Sequence, residues 1–562
     1  MTPAVAGGRV VCEVSSRGRL AVGEPFFEPG PALTLGPWGA LGAAAPGDLV
    51  AVESDGRGRG RLDQVLGRPD DAAAVMLALA VEAGVAEPWP AAAEAEADAP
   101  SPATAGRVDL RGLFTFTIDP EGAKDHDDAL SVGDDGRIFV HIADVAAHVP
   151  PGSSLDAEAA RRSTSVYLPG RVDPMLPPRL SDDRCSLRAD ADRLAVTIEI
   201  GPGDAVAAHR SVIRSRHTLT YPQAQAILDG CEAAPELELA LRRAAEAARE
   251  LRRARMQSGA LAIDSAEVEV DVGPDGPTAG PRTLTAAHGV IEELMILANR
   301  RVAERLAAAR QPALHRVHEP PEAAAVEALV ERLDALDVPT PAAPALHGGP
   351  ETARYAGRLS AVVGGYARAS GRGRQAFPAM VLRAMRKARY DASPRGHSGL
   401  AARHYCHFTS PIRRYPDLVC HRALLRDLGL ERGAGPEPDD LVRLAVHASE
   451  AERDAEWLER RGTAVCLAFL LQHRLYDEGW DAVWPGEVVG LIEPGAFVRF
   501  GEVFEGFLLG RFWRGERAAL DALGVSLVAA SGRRLRLGDP VDVVVESIER
   551  PRGRVLLRAA AT

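Results

Sequence analysis

The sequence predicts an α+β multidomain fold: a central domain of strands followed by helices, with a small β-barrel at either end. Three observations carry the prediction. Short apolar runs broken by Gly and Pro occupy both ends of the chain, residues 107 to about 220 alternate strand-like runs with loops, and from 221 onward apolar residues recur at helical spacing. The 562 residues leave room for three or four domains. A hydrophobic fraction of 46% and a charged fraction of 26% exclude a disordered or fibrous chain.

Residues 1–68 hold the runs GRVVCEV, RGRLAVG, GDLVAVE and GRGRLDQVLG, for which an antiparallel barrel is the natural closure. Residues 69–106 read as a helix (Asp70 to Gly84) and then a linker, EPWPAAAEAEADAPSPATAG, rich in Pro, Ala and acid. The central domain spans 107–478. Its strands are FTFTID, RIFVHIADV and LAVTIEI, and its helices include a stripe of Ile291, Leu294, Met295, Ala298, Val302 and Leu306. Residues 479–562 return to β runs: GEVVGLI, AFVRF, EGFLLG, PVDVVVESI and RVLLRA.

The net charge of −12 argues against a uniformly basic nucleic-acid coat but not against a local basic groove. Only Lys124 and Lys387 are lysines among the 66 basic residues, which fits a GC-rich coding sequence. Residues 372–426 carry twelve Lys or Arg against two Asp, the charge of a segment that follows a phosphodiester backbone. Residues 1–106 carry seven Arg against fourteen acids. Six scattered cysteines without a CxxC pair are expected as reduced core thiols. With no signal-peptide pattern and no apolar run of about 18 residues, the expected location is the cytoplasm.

The sharpest feature is TIDPEGAKDHDDAL, with Asp119, Asp125, Asp127 and Asp128 within ten residues at the exit of an apolar strand. Four carboxylates this close repel one another unless cations sit among them, and Mg²⁺ is commonly held by one or two carboxylates together with phosphate oxygens. Two such ions would stabilise an in-line displacement at phosphorus, so phosphodiester hydrolysis is the chemistry implied. A solvated acidic turn is the plain alternative. An EF-hand is disfavoured, because Ala129 and Leu130 stand where its loop needs Asp or Asn and then Gly. In HFTSPIRRYPDLVCHR, Arg413 and Arg414 follow a Pro-containing turn, where a guanidinium can fork onto phosphate oxygens or simply cap a helix.

TIDPEGAKDHDDAL, HIADVAAHVPPGSSLDAEA, TSVYLPGRVDPMLPPRLSDDRCSL, IEELMILANR and HFTSPIRRYPDLVCHR together resemble, in order, the ribonuclease II/ribonuclease R (RNB) family. The resemblance covers about 107–430 in detail. It implies an RNB catalytic domain flanked by a cold-shock-type OB domain at 1–68 and an S1-type RNA-binding OB domain at 479–562. It also implies a processive 3′→5′ exoribonuclease that hydrolyses single-stranded RNA to nucleoside 5′-monophosphates with Mg²⁺, in a two-metal site that Mn²⁺ can also fill. On that reading Asp119, Asp125, Asp127 and Asp128 organise the metal ions and the attacking water. Arg413 contacts phosphate with help from Arg414, and Tyr167 packs on the 3′-terminal nucleotide. Tyr221 and Glu292 or Glu293 resemble ribose-contacting positions; solvated helix glutamates are the alternative for the latter pair.

The expected partner is single-stranded RNA, bound by a monomer that needs neither membrane nor protein partner. Phe497, Phe500, Phe504, Phe507, Phe512 or Trp513 would supply stacking in a C-terminal domain whose charges cancel. With only 118 residues before Asp119 and no Lys-rich tail, reduced affinity for long RNA and poor action on duplexes are expected. Two other classes compete: a non-catalytic RNA-binding or chaperone protein, and a nuclease that acts on single-stranded DNA or cuts internally.

Overall fold

The computed structural model describes residues 9–201, 206–261, 268–273, 276–431, 435–510 and 517–560. The N-terminal strands β1 (Arg9–Arg17), β2 (Leu20–Pro25), β3 (Leu33–Pro37), β4 (Leu49–Ser54) and β5 (Gly60–Gly67) form a sheet ordered β3-β2-β1-β4-β5. Its two edges meet where Thr34 N donates to Gly58 O at 2.9 Å, which curls the sheet toward a barrel. Helix α1 (Ala72–Glu82) follows, capped by the Asp71 carboxylate.

The acidic Pro/Ala segment is not the loose linker the composition predicts. It contains α2 (Ala91–Ala97), whose Ala93 and Ala97 are buried, and Glu96 accepts hydrogen bonds from Ser154 N and Leu155 N. The alanines that looked like low-complexity spacer are small enough to pack closely, and the acid caps a neighbouring helix.

The central domain is built on β6 (Val108–Asp109), β7 (Phe116–Asp119), β8 (Asp128–Val132) and β9 (Ile138–Ala143), then α3 (Val145–His148) and α4 (Ser154–Arg162). A hairpin of β10 (Val166–Leu168) and β11 (Arg171–Asp173) leads to β12 (Asp192–Ile200), β13 (Val206–Arg214) and β14 (His217–Thr220). The seven-stranded sheet runs β14-β7-β8-β9-β12-β13-β6, parallel at β14/β7 and β13/β6 and antiparallel elsewhere. Phe116, Ile118, Leu130, Val140, Ile142, Val196 and Ile198 fill its core. A buried polar ladder also crosses it, from Thr115 through Ser131, His141 and Thr197 to Ser211, with links of 2.6 to 3.0 Å.

Helices α5 (Tyr221–Leu228), α6 (Pro235–Gln257) and α7 (Ala286–Ala308) contribute buried residues to the same core. Between α6 and α7 lies a hairpin, β15 (Val268–Gly273) and β16 (Gly276–Pro281), in a stretch the periodicity reads as helical. The alternation of Val268, Val270 and Val272 was the missed signal. Gly170, with φ of +69°, lets the β10–β11 turn come so close that a Cβ there would lie 2.8 Å from Val272 Cβ.

After β17 (His315–Val317) come α8 (Ala323–Asp334), α9 (Gly349–Ser370), α10 (Ala376–Ala384), β18 (Arg389–Asp391) and α11 (Tyr415–Asp427). The 41-residue helix α12 (Pro438–Glu478) then ties the ends of the molecule together. Its Leu458, Val465, Cys466 and Phe469 pack with Val11, Phe27 and Leu49 of the N-terminal sheet, and its Leu471 and Leu475 pack with the C-terminal barrel.

That barrel closes in the order β19 (Trp484–Ile492), β20 (Gly495–Phe500), β21 (Phe504–Leu509), β26 (Arg554–Ala559), β25 (Pro540–Glu549). A three-stranded sheet of β22 (Ala518–Leu520), β23 (Ser526–Ala529) and β24 (Arg534–Arg536) is inserted before β25. Gly553, with φ of +59°, seats the β25–β26 turn on α12, since a Cβ there would approach Ala464 C to 2.5 Å. The observed fold is thus α+β, with a mixed central domain between barrel-like sheets.

Five cysteines are buried, but Cys231 is exposed, so the expectation of core thiols fails there. It sits just beyond the C-terminus of α5, where no apolar face continues. No helix of the described residues is long and apolar enough to cross a membrane.

Candidate active site

The sheet order places the four aspartates. Asp119 ends β7, Asp128 begins β8, and Asp125 and Asp127 lie in the connection between them. Strand exits of this kind suit catalytic groups, because the sheet fixes the backbone while the loop leaves side chains free to converge. The loop is held from behind: Leu187 N donates to His126 O at 2.9 Å, and Ser186 Oγ donates to Lys124 O at 2.6 Å.

Asp127 is 4% exposed, and its Oδ1 accepts from Ile412 N at 2.7 Å, while its Oδ2 lies 3.5 Å from Arg413 Nε. Two segments 285 residues apart in sequence are joined by that contact. Burial pushes the Asp127 carboxyl well above its ordinary range, against the opposing pull of Arg413. Asp128 is pushed up to about 7, by burial first and the charge of Asp119 second. Asp119 Oδ2 lies 2.8 Å from His126 Nδ1, although the two are not aligned as a hydrogen bond. Burial alone would lower the His126 pKa, but Asp119, Asp125 and Asp128 outweigh it and raise it.

The loop before α11 presents Arg413 and Arg414 in different ways. Arg413 is 41% exposed and donates from Nη2 to Ser410 Oγ at 3.0 Å, so its guanidinium can reach a ligand beside Asp127. Arg414 is turned inward, with Nε and Nη2 on the Asp417 carboxylate at 2.9 and 2.8 Å. The same Asp417 accepts from Ser410 N at 2.8 Å, so Arg414 and Asp417 hold the shape of the loop that carries Arg413. The R-x-x-D spacing was the available sequence signal for that pair.

Tyr167 joins the cluster from β10. Its hydroxyl donates to Asp125 Oδ2 at 2.6 Å, and its backbone N donates to Glu459 of α12 at 2.9 Å. The residue remains 36% exposed, which leaves surface for an aromatic ligand. No sequence signal marked Glu459, which comes from a helix 292 residues away. Tyr221 also reaches the site: Thr220, the residue before it, is the sheet partner of Asp119, and the negative charges of Asp128 and Asp119 reinforce burial in raising its pKa. Its ring stacks on His288 at 3.9 Å with an interplanar angle of 5°.

Glu292 stays exposed on the flank of α7, whereas Glu293 is placed differently from the expectation. The periodicity leaves both on the flanks of α7, but Glu293 is 2% exposed and Ile291 only partly buried. Arg255 of α6 makes the difference: its Nε and Nη2 lie 3.0 and 2.5 Å from the Glu293 carboxylate, and Nη2 lies 2.9 Å from Glu292. A paired glutamate can be buried where a lone one cannot.

Much of the positive charge of 372–426 is likewise matched. Arg372 pairs with Asp539, Arg386 with Glu322, Arg389 with Glu319, Arg395 with Asp391 and Arg422 with Asp156. A cleft of about 270 Å³ between both barrels and α12 is lined by Arg460, Arg461, Arg552, Arg554, Trp457 and Glu28. In the C-terminal barrel, Phe500 and Phe504 are core, whereas Phe497 and Phe507 face each other on adjacent strands, half-buried, 5.0 Å apart. Phe512 and Trp513 lie outside the described residues.

The donor chemistry fits a hard divalent ion. All four aspartates offer oxygen, and Asp119 Oδ2 and Asp127 Oδ2 are buried without a hydrogen-bond partner. No three His, Cys, Asp or Glu side chains among the described residues converge to close a metal shell by themselves.

A family model described as "RNB domain" matches residues 107–429. Ribonuclease R of Aquifex aeolicus is 36% identical over 473 residues, covering 80% of this chain and 64% of that protein. Ribonuclease R of Escherichia coli is 34% identical over 475 residues, covering 79% of this chain and 56% of that protein. The chain therefore spans 56 to 64% of the length of these two relatives. Mycoplasma genitalium RNase R, solved with ribose-methylated single-stranded RNA, matches in fold with a TM-score of 0.86 at 23% identity, covering 99% of this chain and 90% of that one.

Proposed function

The chain belongs to the RNB-domain family, and from that premise we propose that it is a metal-dependent, processive 3′→5′ exoribonuclease. It would hydrolyse single-stranded RNA to nucleoside 5′-monophosphates and leave a short end product, in RNA decay or processing. One observation carries the proposal: the buried carboxylate of Asp127 lies beside the half-exposed guanidinium of Arg413, 3.5 Å away, in a cluster of four aspartates. A solvated acidic turn would have neither the burial nor the partner.

The four aspartates would hold Mg²⁺, in a two-ion site that Mn²⁺ can also fill. When bound, such ions supply an activated water and neutralise charge at phosphorus. The chain's own groups divide the remaining work. Arg413 donates to the scissile phosphate and offsets charge that develops there, while Arg414 keeps the loop in place through Asp417. Tyr167 offers a ring face to the terminal base, which suits sequence-tolerant binding. Tyr221 lies near Asp119 and Asp128, where a phenol can meet the ribose 2′-hydroxyl. Glu292 and Glu293, bound to Arg255, fit a role in fixing α6 to α7 better than direct ribose contact.

The path for RNA is argued from charge and aromatic surface. The four-arginine cleft can follow a phosphate backbone, and the Phe497–Phe507 pair offers an outer face of the kind that stacks bases in an S1-type domain.

The test is a time course with 5′-labelled single-stranded RNA, Mg²⁺ and either the wild type or Asp127→Asn, resolved on a denaturing gel. Conversion to one short labelled product with few intermediates, preserved RNA in EDTA, and no conversion by the variant support the proposal. Intact RNA that shifts on a native gel would favour a binding protein, and a ladder of internal fragments an endonuclease.

A further inference from the structure

His126 stands inside the acidic loop, between Asp125 and Asp127, and its ring is the one imidazole there. Its position is built by the fold. The backbone N donates to Ser186 Oγ at 3.2 Å, the carbonyl accepts from Leu187 N at 2.9 Å, and the residue is 8% exposed. Nδ1 is 2.8 Å from Asp119 Oδ2, but out of line for a hydrogen bond, and neither atom has another hydrogen-bond partner among the described residues. Asp127 Oδ2, on a side chain 4% exposed, lacks one as well.

Two buried polar atoms at that separation, out of line for a hydrogen bond, are drawn together by a positive charge between them, and a divalent ion can supply it. Their 2.8 Å spacing is close to the edge of an octahedron, about 2.9 Å when ligands lie about 2.0–2.1 Å from the centre. We propose that His126 Nδ1 and Asp119 Oδ2 form a mixed nitrogen–oxygen ligand pair for one divalent ion of the cluster, and that this pair makes the site prefer Mn²⁺ to Mg²⁺. The inference rests on the metal-dependent reading given above. Imidazole suits borderline transition ions, whereas Mg²⁺ favours oxygen, so a nitrogen donor shifts selectivity between two ions of equal charge. Because no three His, Cys, Asp or Glu side chains among the described residues close a shell, the remaining positions belong to water and phosphate oxygens, as is usual for ions held by one or two residues.

The full chain, loaded with MnCl₂ without RNA, is examined by pulsed electron paramagnetic resonance. Modulation from an imidazole ¹⁴N is expected on the bound Mn²⁺, replaced by the ¹⁵N pattern when histidine is isotopically labelled. The labelling needs no folded variant. In His126→Gln the modulation is lost, and calorimetry shows Mn²⁺ affinity falling about tenfold or more while Mg²⁺ affinity changes less than about threefold. Bound Mn²⁺ without nitrogen modulation in the wild type overturns the assignment, as does equal loss of both ions in the variant. Hydrolysis of labelled RNA, run in parallel, separates the two readings. Hydrolysis with no nitrogen signal overturns this inference alone; a nitrogen signal with RNA left intact by either ion supports it and overturns the exoribonuclease reading.

Discussion

The phenolic hydroxyl of Tyr167 donates to Asp125 Oδ2 at 2.6 Å, so one residue joins the acidic loop to a surface that can stack a base. The two roles separate by substitution. Tyr167→Phe keeps the ring and loses the hydrogen bond, whereas Tyr167→Ala loses both. On an Asp127→Asn background, where RNA is not consumed, Tyr167→Ala is expected to weaken single-stranded RNA binding by about 1–3 kcal/mol and Tyr167→Phe much less. Fluorescence anisotropy measures this, and equal losses in the two variants would show that the ring is not the contact.

Asp127→Asn is expected to abolish hydrolysis without costing stability. The Asn Oδ1 can still accept from Ile412 N, and burial opposes the aspartate's charge, so the neutral side chain removes a cost of folding. Thermal melts are expected to place the variant at or above the wild type. A marked fall in Tm would mean that the Arg413 pairing outweighs desolvation.

His141 predicts a pH dependence. It is fully buried between Ser131 Oγ and Thr197 Oγ1, and burial lowers its pKa from 6.5 to about 3. The unfolded chain therefore binds a proton that the folded one refuses. Stability from this group is complete above 6.5 and is lost as pH falls toward 3, at about 1.4 kcal/mol per pH unit. In chemical denaturation series across that range, His141→Gln is expected to show a shallower dependence on pH, whatever its absolute stability. An unchanged slope would remove His141 as a source.

Glu487 of β19 caps α10 from another domain, accepting from Arg374 N, Gln375 N and Ala376 N at 3.0 to 3.1 Å. Glu487→Ala leaves three amide donors without their acceptor and takes a negative charge from a helix N-terminus, at a cost of about 1–3 kcal/mol. Hydrogen exchange at residues 374–376 is expected to rise, with slower changes elsewhere in α10. Protection unchanged at those amides would mean that water replaces the carboxylate at no cost.

Much of the site was legible because its parts are local in the chain. Asp119, Asp125, Asp127 and Asp128 lie within ten residues, and an apolar strand before them fixes where they emerge. Strand alternation and Gly/Pro punctuation likewise marked barrel strands at both ends, since those patterns depend on neighbours one to four residues apart. Where partners are distant, the pattern misled. Glu293 reads as a solvated helix residue until Arg255 is brought to it, and the alanines of α2 read as a linker until α4 packs on them.

The sequence by itself determined the elements, the clustering of carboxylates and the family to which they belong, all of which follow from residue type at short spacing. Only the tertiary structure decided which charges remain available. Asp127 meets Arg413 across 286 positions and Tyr167 meets Glu459 across 292, and such pairings depend on the summed packing of the sheet, α11 and α12 rather than on any local preference. The charge of a side chain is written in the sequence, but the free energy of that charge is set by burial and by partners that only the folded chain supplies.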